Sequence, residues 1–157
     1  MKIILLQVGK TEAPYIKEGL SIYQKRMKKY IAFEEHTIPE AKLKKKRSAA
    51  EQKKEEGDSI LKFIQPGDQL ILLDEKGKQF DSVDFAKYLQ KRFNSAPKRL
   101  VFCIGGPYGF SEEVYNKSNG KISLSAMTFT HQMIRLFFTE QIYRAFTILN
   151  NEPYHHI

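Results

Sequence analysis

The sequence contains a single cysteine, Cys103, no tryptophan and no long hydrophobic run. Because Cys103 lies inside the apolar segment Leu100–Ile104, it is predicted to act as a small buried hydrophobic residue, without a disulfide or metal role. No apolar stretch approaches the ~20 residues that span a bilayer. The first residues also lack the order of charged, apolar and small residues that is typical of a signal peptide. We therefore expect a cytoplasmic protein that makes no use of the membrane.

Several common catalytic signatures are missing as well. The chain has no H-E-x-x-H motif, no cysteine cluster and no carboxylates at ligand spacing, so no metal is expected. The glycines at 105, 106 and 109 do not form G-x-G-x-x-G, and no Lys-Ser/Thr pair follows them to hold phosphate and magnesium. No G-x-S-x-G elbow is present. These absences disfavour a metalloenzyme, a dinucleotide-binding enzyme, a nucleotide-hydrolysing enzyme and a serine hydrolase.

The positive charge is concentrated in the first half of the chain. The formal net charge is +8; residues 1–67 carry 15 Lys and Arg against 9 Asp and Glu, whereas residues 68–157 carry 11 against 9. Most of the excess lies in one basic run, whose cations are Lys42, Lys44, Lys45, Lys46 and Arg47. Such a run can release condensed counterions from a phosphate backbone, so it predicts contact with nucleic acid; the alternative is a solvated loop.

Apolar runs alternate with helical patterns along the chain. The length of 157 residues suits one domain, residues 1–157, with a core of its own. Continuous apolar runs such as Lys2–Val8 predict parallel strands covered on both faces. The alternation predicts an α/β fold with a mostly parallel sheet flanked by helices. In detail, Asp74–Gly77 is expected to be a turn that ends a strand, and Ser82 and Ser111 are expected to cap helices.

The last predicted helix, from about Thr130 to Leu149, carries apolar residues nearly all round. A helix that is hydrophobic on every side must be covered on every side. One sheet covers only one face of such a helix, so the pattern predicts a second subunit and hence a homodimer.

Two segments have the properties of a small-molecule pocket. Gly105 and Gly106 follow a buried strand, where α/β sheets bind ligands beyond the carboxyl ends of their strands. The alternative is a tight turn before a helix. Leu124–Phe129 has few ionisable groups, so its backbone and apolar side chains suit an adenine ring, or simply the entry to a helix.

The ionisable candidates lie near the C-terminus. Glu140 and Arg144 are four residues apart on the last helix, within reach of each other. They are interpreted either as an ion pair at a dimer interface or as the polar edge of a site. Tyr154 and His155 then follow a proline in a tail that could contact RNA and move protons, or could be disordered. His131 and His36, by contrast, are interpreted as structural.

Separate motifs in the right order identify a family resemblance over essentially the whole chain. The motifs are Val8-Gly9-Lys10, Ile104-Gly105-Gly106-Pro107-Tyr108-Gly109, Leu124–Phe129, His131–Arg135, Glu140–Ala145 and Pro153-Tyr154-His155. With these motifs the chain resembles the bacterial RlmH-type methyltransferases of the SPOUT class, which methylate N3 of a pseudouridine in 23S ribosomal RNA. Thr130 departs from the family pattern, where proline is frequent, and this departure affects the expected loop geometry.

The resemblance implies a C-terminal trefoil knot, a homodimer and the cofactor S-adenosylmethionine. Carried over by position, the cofactor-binding residues are Leu73, Gly105, Leu124, Ser125, Ala126, Met127, Thr128 and Phe129. The expected partner is 23S rRNA, in the large subunit or in the assembled ribosome. The assigned cofactor-binding residues fall at the strand ends, where the sequence pattern also predicts a ligand.

The tail is expected to supply the catalytic groups. Our hypothesis assigns His155 as the base or base-positioner, with Tyr154 and Arg144 holding the nucleotide and its phosphate. The competing interpretation is a basic dimer that binds RNA or the ribosome without catalysis. Tight binding of S-adenosylmethionine would count against that alternative.

Overall fold

The computed structural model describes residues 1–40 and 48–156, along which five strands alternate with five helices. Among these residues, no helix combines the length and apolar character that a membrane span requires. The elements are β1 (Lys2–Val8), α1 (Pro14–Met27), β2 (Ala32–Ile38), α2 (Ala49–Phe63), β3 (Asp68–Gln79), α3 (Ser82–Asn94), β4 (Arg99–Ile104), α4 (Glu112–Lys117), β5 (Gly120–Ser123) and α5 (His131–Leu149).

The five strands form one parallel sheet in the order β2-β1-β4-β3-β5, which confirms the predicted α/β class. Leu73 of β3 pairs with Ile104 of β4 on one side and with Ile122 of β5 on the other. Because the strands are parallel, the segments that follow these three residues emerge at the same edge of the sheet.

Helices cover both faces of the sheet, as the continuous apolar strands require. On one face, α1, α3 and α5 pack around Leu5, Phe102 and Phe138. On the other face, α2 and α4 pack on a smaller cluster that includes Leu72 and Cys103. Cys103 is fully buried, as predicted, and its burial raises the pKa of the thiol.

Two local predictions between β3 and α3 were wrong. Asp74–Gly77 does not end β3: the pairing to β5 shifts from Leu73–Ile122 to Lys78–Ile122, so these residues bulge out within a longer strand. Gly77 allows this bulge, because a Cβ there would lie 2.4 Å from the carbonyl carbon of Ile122. Ser82 is the first residue of α3, and its N-cap is Asp81, whose Oδ1 accepts from the amide of Asp84 at 2.8 Å. Ser111 does cap α4, as predicted.

Other helices of the same chain cover part of α5, and α5 also carries a buried charged residue. α1 and α3 of the same chain pack against it, and Phe137 stays 39% exposed. Its largest buried polar residue is Arg135, which is 2% exposed and donates to the carbonyl of Val8 and to Oγ1 of Thr11, each at 2.9 Å. Burial lowers the pKa of Arg135. Arg135 thus ties the start of α5 to the carboxyl end of β1.

Candidate active site

A cleft of about 590 Å³ lies at the carboxyl edge of β3, β4 and β5. Its walls come from the β3 bulge, from the segment after β4 and from the segment between β5 and α5. We call it the glycine-turn cleft. All eight residues that the resemblance assigned to the cofactor line it: Leu73, Gly105, Leu124, Ser125, Ala126, Met127, Thr128 and Phe129. The structure brings them together from distant positions, while their role stays a prediction.

A buried glutamate of α2 packs against the glycine turn. Glu56 is 3% exposed, and its Oε1 accepts from Nε2 of Gln52 at 3.1 Å. A Cβ on Gly106 would lie 2.3 Å from Oε2 of Glu56, so only glycine fits the turn at this position. Burial raises the pKa of Glu56, with a further contribution from Glu40, while the bond from Gln52 lowers it.

Two serine side chains, one at the end of β5 and one within the segment, hydrogen-bond the backbone of the segment from Leu124 to Phe129. The hydroxyl of Ser123 donates to the carbonyl of Ser125 at 3.0 Å, and the amide of Met127 donates to Oγ of Ser125 at 2.9 Å. Thr130 caps α5 immediately afterwards, since its Oγ1 accepts from the amide of Met133 at 3.1 Å. The side chain of Met127 is 77% exposed and free to contact a ligand.

One wall of the glycine-turn cleft carries polar groups that the sequence did not indicate. Asp74 in the β3 bulge accepts from the amide of Lys76 at 2.8 Å and from the hydroxyl of Tyr115 on α4. Burial and this bond raise the pKa of Tyr115 to about 12. Lys53 and His131 also line the cleft, so His131, interpreted from sequence as structural, is placed at its edge.

The predicted catalytic residues lie together around Glu140. Arg144 donates from Nη2 to Oε1 of Glu140 at 2.6 Å, and the hydroxyl of Tyr154 donates to the same oxygen at 2.8 Å. The guanidinium of Arg144 also stacks on the ring of Tyr154, 4.8 Å from its centroid. The hydrogen bond to Glu140 raises the pKa of Arg144. Burial raises the pKa of Tyr154, and hydrogen bonds with Tyr23 and Glu140 raise it further.

His155 completes this group through its Nδ1, which lies 3.1 Å from Nη1 of Arg144. A guanidinium has only donors to offer, so Nδ1 of His155 must accept. In the neutral ring the proton then resides on Nε2, which is left to act as a donor.

The tail is anchored before it reaches these residues. The hydroxyl of Tyr30, just beyond α1, donates to Oε1 of Glu152 at 2.5 Å, and Nζ of Lys29 lies 3.2 Å from Oε2. Tyr154 then packs edge-on against Tyr143 of α5, with ring centroids 4.8 Å apart. These contacts give the tail a defined path across α1 and α5.

A second cleft of about 580 Å³ adjoins the first, and we call it the aromatic cleft. The two clefts share Ile122, Ser123, Leu124 and Phe129 as a common wall. Its remaining lining comes from the start of α3, from α5 and from the tail: Phe80, Asp81, Ser82, Val83, Phe85, Phe137, Gln141 and His155. Of the three predicted catalytic residues, His155 alone borders this cleft.

The predicted RNA-binding residues are not part of this description. Lys42, Lys44, Lys45, Lys46 and Arg47 lie outside the described residues. Their role stays a prediction. The side chains that sequence reasoning missed, among them Asp74, Tyr115 and Gln141, sit on separate elements, and their types alone carry no signal of a site.

The fold and the clefts define a class: an α/β protein with a small-molecule cleft at the carboxyl ends of parallel strands and an ionisable cluster beside it. The family described as "Predicted SPOUT methyltransferase" matches residues 1–155. The chain is also similar to proteins named ribosomal RNA large subunit methyltransferase H. It is 60% identical to the one from Parabacteroides distasonis and 56% to the one from Christiangramia forsetii, each over 156 residues and 99% of both chains. The chain belongs to the SPOUT methyltransferase family and is a methyltransferase.

Proposed function

We propose that this protein transfers a methyl group from S-adenosylmethionine to N3 of a pseudouridine in 23S rRNA of the large subunit. The observation that carries the proposal is the convergence of the β3, β4 and β5 ends on one cleft, with the Glu140 cluster beside it. The names of the relatives support the ribosomal substrate. We propose that residues 1–157 act as one SPOUT domain in the cytoplasm, where ribosomes are found.

The chemistry of the glycine-turn cleft fits S-adenosylmethionine. Its lining combines the apolar side chains of Leu73, Leu124 and Phe129 with the close backbone of Gly105. Such a surface suits an adenosyl group, which needs apolar walls and a few fixed polar atoms rather than a phosphate loop. When bound there, the cofactor would supply an electrophilic methyl carbon on a sulfonium.

The protein's own residues have to orient the acceptor ring and exclude water. Arg144 and Tyr154 are held rigidly by Glu140, and we assign them to fixing His155 and the nucleotide. The sequence left His155 as base or base-positioner. Its contact with Arg144 supports the positioning role, because Nδ1 is occupied and Nε2 carries a proton to donate.

We also propose the homodimer and the trefoil knot that the family resemblance implies. Exposed apolar side chains on α1 and α5 support a second subunit: Tyr15 is 63% exposed, Ile22 44% and Phe137 39%. Sedimentation of the purified protein would test the dimer, since a monomer at micromolar concentration would contradict it.

The basic run is proposed to contact ribosomal phosphates. Changing Lys42, Lys44, Lys45, Lys46 and Arg47 to Gln together should weaken ribosome binding and flatten its salt dependence. An unchanged slope of binding against salt concentration would contradict this role.

The decisive experiment incubates the protein with labelled S-adenosylmethionine and ribosomes from a strain that lacks the gene, and then maps the labelled nucleotide. Label at N3 of a large-subunit pseudouridine supports the proposal. Calorimetry with the cofactor alone accompanies it. Cofactor binding without label contradicts the proposed substrate, and absence of both favours the non-catalytic RNA-binding dimer.

A further inference from the structure

The start of α5 borders the glycine-turn cleft on one side and is bonded to the segment after β1 on another. His131 and Ile134 line the cleft. Gln132 and Arg135 bond instead to the segment after β1. A single residue separates α5 from Leu124–Phe129, the stretch that we assign to the cofactor. The position of this first turn therefore bears directly on the shape of the cleft.

Arg135 makes the buried attachment. Its Nη2 donates to the carbonyl of Val8 and its Nη1 to Oγ1 of Thr11, each at 2.9 Å, so one rigid guanidinium holds both acceptors. Burial disfavours the charged form of the side chain, while the carboxylates of Glu35 and Glu12 favour it. A buried cation is a costly way to gain stability. What the guanidinium adds over an apolar side chain is a pair of directional bonds between the end of β1 and the start of α5.

Gln132 makes a second attachment, nearer the surface. Its Oε1 accepts from the amide of Glu12 at 2.8 Å, and its Nε2 donates to the carbonyl of Lys10 at 3.2 Å. The segment that receives these bonds is itself fixed to the sheet, because the amide of Gly9 donates to the carbonyl of Ile38 in β2 at 2.8 Å. The two attachments thus join α5 to a part of the chain whose own position is already set.

The stretch Leu124–Phe129 has little hydrogen bonding of its own. Within the described residues, its hydrogen bonds are local: the hydroxyl of Ser123 donates to the carbonyl of Ser125, and Oγ of Ser125 accepts from the amide of Met127. The side chain of Met127 is mostly exposed. A stretch held by so few bonds takes its position from its two ends, which are β5 and the start of α5.

We propose that Arg135 is a positioning residue for cofactor binding: its two bonds hold the start of α5 against the end of β1 and so keep Leu124–Phe129 in the conformation that receives S-adenosylmethionine. This inference rests on the proposed function. Arg135 lines neither cleft, so it acts through the backbone that it holds. Without its bonds the stretch samples other conformations, and the apparent dissociation constant rises by the inverse of the competent fraction.

Calorimetry with S-adenosylmethionine gives the first test. Arg135→Met keeps an unbranched side chain and removes both bonds, and we expect cofactor binding about tenfold weaker. At saturating cofactor, kcat on ribosomes should stay within about twofold of wild type, because the bound cofactor itself selects the competent conformation. Thr11→Val removes one acceptor and should weaken binding about threefold. The double variant should bind no more weakly than Arg135→Met alone, since the bond to Thr11 is already absent there.

Arg99→Met is the matched control. Arg99 begins β4 at the opposite edge of the sheet, where its Nε donates to Oδ1 of Asp68 and its Nη2 to the carbonyl of Phe63, each at 2.9 Å. This variant loses bonds of the same kind, so it should lower stability and leave the cofactor dissociation constant unchanged. Unfolded protein lowers the binding stoichiometry, whereas lost positioning raises the dissociation constant. Wild-type affinity in Arg135→Met, or an equal loss of affinity in Arg99→Met, overturns the proposal.

Hydrogen exchange in the ligand-free protein tests the positioning without the cofactor. The amides of residues 124–134 should exchange about tenfold faster in Arg135→Met than in wild type, and at the wild-type rate in Arg99→Met. Unchanged exchange in Arg135→Met overturns the proposal. A wild-type protein that binds no S-adenosylmethionine contradicts the proposed function, and with it the cofactor role of Arg135, whereas the exchange rates still decide whether Arg135 holds the stretch in place.

Discussion

Nη1 of Arg144 lies 3.1 Å from Nδ1 of His155, which lines the aromatic cleft, and this contact leaves Nε2 as the nitrogen that carries the proton in the neutral imidazole. Arg144 is itself held by Glu140, four residues earlier on α5. The orientation of His155 therefore depends on the pair of Glu140 and Arg144, which are one helical turn apart on α5. The ring presents a donor, and it can act as a base only if its bond to Arg144 is released.

His155→Ala should reduce turnover far more than cofactor affinity, because His155 lines the aromatic cleft and lies outside the glycine-turn cleft. We expect kcat to fall about a hundredfold while the dissociation constant of S-adenosylmethionine stays within twofold. His155→Gln keeps a donor near the position of Nε2 and should recover part of the loss. Single-turnover methylation and calorimetry measure the two quantities. Equal losses in cofactor binding and turnover would contradict the assigned role.

Gly106→Ala should weaken cofactor binding about tenfold, because its Cβ would meet the carboxyl of Glu56 and displace the turn. Glu56 cannot swing aside easily, since it is buried and bonded to Gln52. Adding Glu56→Ala should restore part of the affinity, and Glu56→Ala alone is the control. Calorimetry on the four proteins gives the coupling between the two positions. A strictly additive result would rule out the steric explanation.

Tyr115 should ionise at a higher pH than an ordinary tyrosine, with a pKa of about 12 instead of 10.0, because it is partly buried and hydrogen-bonded to Asp74. The fold favours the neutral phenol. Its contribution to the free energy of unfolding is therefore complete below pH 10 and is lost as the pH rises towards 12.

Ultraviolet titration of tyrosinate in wild type and in Tyr115→Phe measures this difference. The variant should lose one late-titrating phenol and, at neutral pH, about 1 kcal/mol of stability from the missing hydrogen bond. If the phenol that the variant loses titrates near pH 10 in the wild type, Tyr115 is not held by Asp74.

Cys103 should not react with thiol reagents in the native protein. The side chain is fully buried in β4, and burial raises the pKa of the thiol, so no thiolate is presented to solvent at neutral pH. A colorimetric thiol assay should detect no cysteine in the folded chain and one after unfolding in denaturant. Rapid labelling under native conditions would indicate that β4 opens locally.

Local patterns were sufficient to predict most of the elements. The apolar runs of β1 and β4 appear as buried parallel strands, because a strand covered on both faces needs no alternation. The cap at Ser111 and the pair of Glu140 and Arg144 were also predicted, since each depends on residues three or four apart. The bulge at Asp74–Gly77 was not, because turn-forming residues cannot show that a strand resumes its pairing afterwards.

The sequence by itself determined the α/β class, the strand ends at which we propose that a ligand binds and, through its motifs, the family. Only the tertiary structure decided that Gln141 meets Ser82, that Glu56 lies behind Gly106 and that Glu152 is held by Tyr30. These partners are between 50 and 122 positions apart in the numbering. No periodicity of 2 or 3.6 residues relates them, so their contacts depend on how the helices pack on the twisted sheet.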